Sequence, residues 1–292
     1  MNLYTHQSSN IRKSWIIIVF FMAFVMLIGW LLGNYFNSMW IFYFAIGLSL
    51  FQSIFAYYKS DAIAIRSAGA IPADETRYRD LHNIVENLAI TAGLPKPRVY
   101  IIPDQSPNAF ATGRDPEHAA VAVTQGLLQI LDKSELEGVI AHELAHIGNR
   151  DILVATIVVV LVGVLTAIVD MIWYISFSGN GEERHPAMLI IGIIAIIASP
   201  FIGMMIQAAV SRRREFVADA TGALLTRYPD GLANALRKIS ANHRPMKNAS
   251  SATAHMFISN PFGGGIGSRI KNLFSTHPPV AERVSRLLSQ SK

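Results

Sequence analysis

Four long apolar runs dominate this 292-residue chain, in which 51% of the residues are apolar and only 15% are charged. A bilayer core of roughly 30 Å needs about 20 apolar residues in helical form, and each run approaches or exceeds that length. We therefore predict four membrane-spanning helices. They are residues 15–32 and 41–57, which carry no charge, residues 152–177, which carry only Asp170, and residues 188–210, again without charge.

These runs have two other interpretations. Some of them could be buried core helices, and the first could be a cleaved signal peptide. Such runs rarely lack charge in soluble cores, and no small-residue cleavage site follows Leu32. We therefore interpret the first run as an uncleaved anchor.

The basic residues beside the runs predict their orientation. They precede the first run and follow the second and the fourth, whereas the two short connections, 34–39 and 178–186, hold a single arginine. Both termini are therefore expected inside the cell. The predicted organisation is a spanning hairpin at 1–58, a first cytoplasmic part at 59–151, a second hairpin at 152–210 and a second cytoplasmic part at 211–292.

The cysteine count and the net charge limit the metal sites and binding partners that this chain can have. The chain has no cysteine, which excludes disulfides and thiolate metal sites. Its net charge of +5 is explained by membrane topology and anionic lipid, so a lipid bilayer is an expected partner and nucleic acid is not.

One segment carries the spacing of a metal site. Ser134 and Glu137 form a possible capping box, so a helix is expected to begin there. In that helix His142 and His146 lie four residues apart, so they project from one face and can both reach a single metal ion. Glu143 lies about 100° around the helix from His142 and is placed to hold a water molecule. This HExxH pattern favours zinc and a carboxylate that takes a proton from water.

The alternative is a chance match on a surface helix. The neighbouring residues make it a buried helix, in which two unpartnered histidines would be costly. They are Val139, Ile140, Leu144, Ala145 and Ile147.

A catalytic zinc needs a third protein ligand, and without cysteine it must be His, Asp or Glu. Glu215 and Asp219 are again four residues apart on one predicted helical face, so one could bind metal while the other accepts a hydrogen bond from a ligand histidine. A hairpin of the third and fourth runs would bring Glu215 to the same membrane surface as His146. The alternative is an acidic helix face balanced by the preceding arginines.

Together the segments HELAHIGNRD, EFVAD and FSTHPPVAER resemble the HtpX-type membrane metallopeptidases, relatives of the eukaryotic prenyl-protein protease. The resemblance implies one zinc ion per chain, bound by His142, His146 and Glu215. It also implies that Glu143 is the general base and that Asp219 accepts a hydrogen bond from a ligand histidine. Asn149 and Asp151 also match the family's pattern, although a charge capping the start of the third run explains Asp151 equally well.

The resemblance extends to two further segments. Residues 107–113, PNAFATG, resemble the family's substrate-binding edge strand, which would pair with an extended peptide through Asn108, Ala109, Phe110 and Ala111. Their alternative is a turn between two strands. His277 and Arg283 would lie near the site and stabilise an oxyanion, whereas His277 could also be structural, beside a helix cap.

The expected fold is mainly α with a small β-sheet: a gluzincin-like zinc metallopeptidase core fused to four transmembrane helices. Within it, residues 77–94 are expected to form an amphipathic helix, 98–102 a strand, and 134–148 the active-site helix, running on towards the membrane.

By resemblance the substrates are misfolded or damaged proteins of a bacterial inner membrane, and the process is membrane protein quality control. Two alternatives remain: a scaffold with a structural metal, and a prenyl-protein processing peptidase. Manganese or cobalt would fit the same ligands. The sequence leaves open the oligomeric state, the cleavage preference and whether residues 248–267 gate the site.

Overall fold

The computed structural model describes residues 3–35, 37–177, 203, 205, 211–248, 250, 252–262 and 278–289. Helices predominate there, as expected, around one small mixed sheet. The helices are α1 (Leu3–Tyr35), α2 (Met39–Ser67), α3 (Arg79–Ala92), α4 (Gln125–Ile130), α5 (Lys133–Gly148), α6 (Asp151–Phe177), α7 (Arg212–Thr226), α8 (Pro229–Ala241) and α9 (Val280–Ser289).

The first two apolar runs form α1 and α2, which pack against each other and against α6. Phe21 and Leu161 are fully buried between these helices, whereas Val19 and Phe51 on the outer faces are more than half exposed. Apolar side chains on an outer face are costly in water and favourable in lipid. By length and composition, α1 and α2 can each cross a membrane.

The third apolar run also forms a helix, α6, and a sharp bend separates it from α5. The two helix axes meet at 83°, and they count as a third span only if both are taken as one bent segment. Arg150 lies at the bend in the left-handed conformation, with φ of 59°. The active-site helix therefore does not run straight on towards the membrane. Of the fourth run, Gly203 and Met205 alone belong to the described residues, so that predicted span lies outside them.

The sheet contains β1 (Ile71–Pro72), β2 (Arg98–Ile102), β3 (Ala109–Thr112) and β4 (Ala120–Thr124), in the order β1-β2-β4-β3. Strand β2 has the predicted bounds and pairs in parallel with β4, while β3 pairs antiparallel with β4. All residues of β4 are buried, as expected for the central strand of a covered sheet. Strand β3 lies at an edge of the sheet, as the sequence predicted.

A hydrophobic core joins the sheet to the helices around α5. The predicted amphipathic helix is present as α3, which buries Leu81, Val85 and Leu88 and ends at Gly93 in the left-handed conformation. Helix α5 is buried along most of its length by α3, α7 and α8. This packing holds the HExxH residues away from bulk water.

Three glycines allow the backbone of α5 to approach its neighbours closely. A Cβ atom at Gly138 would lie 2.6 Å from the backbone nitrogen of Leu232 in α8. A Cβ at Gly222 in α7 would lie 3.0 Å from the backbone nitrogen of His142, and one at Gly231 would lie 2.6 Å from the Ser134 carbonyl oxygen. Side chains at these positions would separate the helices that carry the candidate ligands.

Candidate metal centre

A capping box begins α5, two residues earlier than predicted. The Asp132 side chain accepts a hydrogen bond from the backbone of Glu135, and the Glu135 side chain accepts one from the backbone of Asp132. The predicted pair of Ser134 and Glu137 is therefore wrong. Ser134 instead donates to the Asp132 carboxylate. Both pairs have capping spacing in the sequence; in the structure Asp132, with extended backbone angles, is the residue that precedes the first helical turn, and Ser134 lies within that turn.

The two histidines of α5 face one point in space. Their ring centroids are 4.7 Å apart, and the Nε2 atoms of His142 and His146 are 3.2 Å apart. The side chain of His142 is 1% exposed and that of His146 is 15% exposed. Two buried imidazoles with converging nitrogens are costly unless a shared partner, such as a metal ion, binds them.

Helix α7 brings Glu215 to the same point. Its Oε2 atom is 3.7 Å from Nε2 of His142, and its Oε1 atom is 3.6 Å from Nε2 of His146. The candidate ligand atoms of the three residues all lie within 4.8 Å of one another. Ligands held about 2.1 Å from a tetrahedral zinc are about 3.4 Å apart, so the observed spacings fit such an ion. Two nitrogens and one carboxylate oxygen also suit zinc chemically.

Each ligand histidine has a carboxylate behind it. Asp219, four residues after Glu215, lies 3.0 Å from Nδ1 of His142. Asp151, at the start of α6, lies 3.1 Å from Nδ1 of His146. Such carboxylates orient the imidazole and leave its Nε2 atom for the metal. Asp219 lies within contact distance of a candidate ligand histidine, where the resemblance would put it. For Asp151 the sequence showed only a match to the family's pattern and a possible charge at the start of the third run; its contact with His146 was not predicted.

Arg283 of α9 is buried next to this cluster. Its guanidinium donates to both carboxylate oxygens of Asp219, at 2.9 and 2.6 Å, and one of its nitrogens lies 3.4 Å from Nε2 of His142. Its Nη1 atom is 3.9 Å from Glu215. Arg283 thus lies near the site as predicted, bound to Asp219. His277, the other predicted oxyanion group, lies outside the described residues.

The two histidines differ in pKa, because their charged neighbours differ. Burial, together with the nearby Arg283, lowers the pKa of His142 to about 4 despite the opposing effect of Asp219. Burial also disfavours charge on His146, but Asp151 and Glu215 outweigh it and raise the pKa of His146 to about 9. Arg283 holds the pKa of Asp219 below its usual range against the effect of burial.

Glu143 is a buried carboxylate beside the candidate ligands. Burial and the charge of Glu215 raise its pKa to about 7, against the opposing charge of His146 and a hydrogen bond from the backbone N–H of Ala111. A pKa near neutrality suits a group that takes up and returns a proton. The structure therefore places a buried carboxylate that can exchange a proton near neutral pH between the edge strand and the candidate ligands.

A cavity of about 50 Å³ opens beside Glu143 and His146. It has room for a few water molecules and is too small for a peptide. Its lining includes Ala111 of β3 together with His255 and Met256. The segment carrying these two residues therefore limits what reaches Glu143.

The segment 252–262 also contacts the predicted substrate edge. Asn108 exchanges two hydrogen bonds with the backbone of Ser259, at 2.8 and 3.1 Å, and the Ala109 carbonyl accepts one from the N–H of Ile258. Phe110 is 1% exposed and packs edge-on against Phe257. Of the four predicted substrate-binding residues, Ala111 faces the cavity and the other three contact the chain itself.

A mainly helical fold in which two histidines and a glutamate converge beside a buried glutamate defines a metallopeptidase. Comparison with known proteins agrees: residues 75–291 match the family described as Peptidase family M48. The chain therefore belongs to peptidase family M48, and it is a membrane metallopeptidase that acts on peptide substrates.

Curated relatives cover almost the whole chain. A "Protease HtpX homolog" of Thermoanaerobacter pseudethanolicus is 49% identical, and one of Caldanaerobacter subterraneus subsp. tengcongensis is 47% identical; both alignments cover 98% of this chain and 97% of the relative. A relative of the same name from Pyrococcus furiosus is 45% identical over 94% of each chain. The predicted resemblance to the HtpX type is confirmed.

The fold also resembles a solved structure, the crystal structure of S. mikatae Ste24p. The TM-score is 0.50 at 17% sequence identity, and the match covers 97% of this chain and 67% of that one. At this identity the likeness shows a shared fold.

Proposed function

We propose that this protein is a zinc-dependent endopeptidase of a bacterial inner membrane, whose active site faces the cytoplasm and cleaves misfolded or damaged membrane proteins. The observation that carries the proposal is the convergence of His142, His146 and Glu215 next to the buried Glu143. We assign the first three as ligands of one zinc ion and Glu143 as the general base.

The chemistry follows from the placement of these side chains. When bound, zinc supplies Lewis acidity, which polarises a peptide carbonyl and acidifies water. Glu143 accepts the proton of the attacking water and delivers it to the leaving nitrogen, a cycle that its pKa near 7 supports. Asp219 and Asp151 hold the imidazoles of His142 and His146 in the required tautomer. We assign His277 and Arg283 to charge stabilisation near the substrate carbonyl.

Peptides are proposed to bind along the edge of β3. The Ala109 carbonyl and the Ala111 N–H both point away from β4, since they bind Ile258 and Glu143 respectively. In an antiparallel strand the N–H and carbonyl of one residue point the same way, so the Ala111 carbonyl is directed to the cavity as well. Backbone pairing at Ala111 would place a peptide bond beside Glu143 with little selectivity for side chains.

We further propose four membrane spans, with residues 59–151 and 211–292 forming one cytoplasmic catalytic domain. Helices α1 and α2 support the first hairpin, and the short basic segments beside the apolar runs support the orientation. Because the chain contains no cysteine, single cysteines can be labelled without background.

Proteolysis is the direct test. Purified full-length protein in detergent, loaded with zinc, should degrade casein and an unfolded membrane protein. Glu143→Gln should lower turnover by about 10²- to 10⁴-fold while one zinc ion remains bound. Equal turnover by both proteins, or no hydrolysis by a fully zinc-loaded wild type, would favour a structural metal and contradict the proposed chemistry.

A second experiment tests topology. An impermeant thiol reagent applied to intact cells should label Asn34→Cys and Asn180→Cys, while Glu75→Cys should react only after lysis. Labelling of Asn180→Cys only after lysis would contradict the second hairpin, and labelling of Glu75→Cys in intact cells would contradict the cytoplasmic site.

A further inference from the structure

The side-chain amide of Asn10, in the first apolar helix, reaches the junction between α5 and α6. Its Nδ2 atom donates to an Asp151 carboxylate oxygen at 2.7 Å and to the Asn149 carbonyl oxygen at 2.9 Å. Asn10 is 4% exposed and Asp151 is 6% exposed. One amide group thus bridges the end of one helix and the start of the next at a buried position.

The orientation of that amide is determined by its partners. Both contacted atoms are oxygens that only accept hydrogen bonds, so the NH₂ group must face them. Its two protons match the two acceptors. A rotated amide would place its own oxygen against a carboxylate and a carbonyl, which is repulsive.

Asp151 contacts both Asn10 and His146, and so connects Asn10 to the candidate metal site. One carboxylate oxygen binds Asn10 and lies 3.5 Å from Arg214, and the other is 3.1 Å from Nδ1 of His146. The carboxylate therefore cannot turn towards solvent without losing a partner on each side. Because Nδ1 of His146 is held, its Nε2 atom is directed to His142 and Glu215.

We infer that Asn10 is a positioning residue for the metal ligand His146, acting through Asp151. The first apolar helix is then part of the catalytic apparatus as well as an anchor. It holds the bend at Arg150 so that Asp151 remains behind the imidazole. This inference rests on the proposed zinc site and adds to it a requirement for the amino-terminal helix.

Zinc affinity is the readout, measured on full-length protein in detergent by competition with a chromophoric chelator. Asp151→Ala should weaken zinc binding by about 10- to 100-fold, as expected for loss of a carboxylate behind a ligand. Asn10→Ala should weaken it by roughly 2- to 10-fold, the effect of losing a hydrogen bond. In the Asp151→Ala background the Asn10→Ala change should have almost no effect, since its route to His146 is gone.

Asn10→Asp provides a second variant of the same size. It places a carboxylate against Asp151 and should weaken zinc binding more than Asn10→Ala, and Asp151→Asn should restore part of the loss. Asn34→Asp introduces the same charge near the other end of the same helix and should leave zinc affinity unchanged. Circular dichroism of the metal-free proteins checks that each variant folds.

The inference is overturned if neither Asn10 variant changes zinc affinity, or if Asn10→Ala has equal effects with and without Asp151. A wild-type chain that binds no zinc would overturn the proposed function together with this inference. A wild type that binds one zinc and loses hydrolysis in Glu143→Gln, beside Asn10 variants of unchanged affinity, would overturn the inference alone.

Discussion

Asp219 binds two partners at once: its carboxylate accepts both hydrogen bonds of the buried Arg283 guanidinium, and the same group contacts Nδ1 of His142. The last described helix is thereby connected to a candidate metal ligand of α5. Neither partner is more than 3% exposed, so the charges compensate each other away from water.

Removal of Arg283 should therefore destabilise the fold strongly. Arg283→Ala leaves the Asp219 charge buried without its main partner, and we expect the free energy of unfolding to fall by about 3–5 kcal/mol. Arg286→Ala, on the same helix but largely exposed, should cost less than about 1 kcal/mol. Chemical unfolding in detergent measures both, and similar losses for the two variants would contradict this account.

Zinc binding should become tighter as the pH rises from 7 to 9. The pKa of His146 in the metal-free protein is raised to about 9, chiefly by Asp151 and Glu215 against the effect of burial, so a proton must leave before the imidazole can bind metal. Affinity should increase about tenfold per pH unit over this range and level off above it. His142, with a pKa of about 4, is already neutral there.

The pH dependence also has a specific control. Asp151→Asn removes a charge that favours protonated His146, so the slope should become shallower, whereas Glu86→Gln on α3 should not change it. Calorimetry in buffers of different ionisation enthalpy counts the released protons. A slope that is flat in the wild type would contradict the assignment of His146.

The close approach of α5 to α8 should make Gly138 intolerant of a side chain. A Cβ there would meet the Leu232 backbone at 2.6 Å, so Gly138→Ala should lower the free energy of unfolding by about 1–3 kcal/mol. Gly148→Ala, in the same helix, would meet only the flexible end of Leu94 at 3.7 Å and should lose no stability. Thermal unfolding compares the stability of the two variants. An unchanged melting temperature for Gly138→Ala would contradict the prediction, because it would show that α8 can move to make room for the methyl group.

Asn108 should control the mobility of the segment that covers the edge strand. Asn108→Ala removes both hydrogen bonds to Ser259, a local loss of about 1–3 kcal/mol, and amide exchange at Ile258 and Ser259 should become roughly 5- to 100-fold faster. Asn242→Ala, whose amide binds only a neighbouring carbonyl at the surface, should leave these amides unchanged. Hydrogen exchange measured by mass spectrometry tests this prediction. Unaltered exchange in Asn108→Ala would show that Asn108 does not hold the segment in place.

The sequence predicted correctly most of the features that depend on interactions between residues close together in the chain. The spacing of His142 and His146 predicted one face of a helix, and the strand at Arg98–Ile102 was predicted with its observed bounds. The pair at the start of α5 was misplaced because two overlapping pairs have capping spacing, and the choice between them depends on backbone angles. Glu215 was predicted beside the histidines, and α7 places it there.

Apart from the approach of Glu215 and Asp219 to the histidines, the contacts between distant parts of the chain described above were not predicted. The bend at Arg150 requires a left-handed arginine, for which the sequence offers no signal such as glycine. The contacts of Asn10 with Asp151 span 141 positions, and those of Asn108 with Ser259 span 151.

The glycine contacts around α5 have a consequence for how substrates of different bulk are accommodated. Where backbone lies directly on backbone, as at Gly138 and Gly222, no side chain can change rotamer to make space. The helix contacts around the candidate ligands are therefore rigid, and extra room in the cleft would have to come from its other lining residues, such as Met256, which belongs to the short segment 252–262. A fixed arrangement of the candidate ligands and an adjustable lining would then be compatible, because they involve different residues of the same cleft.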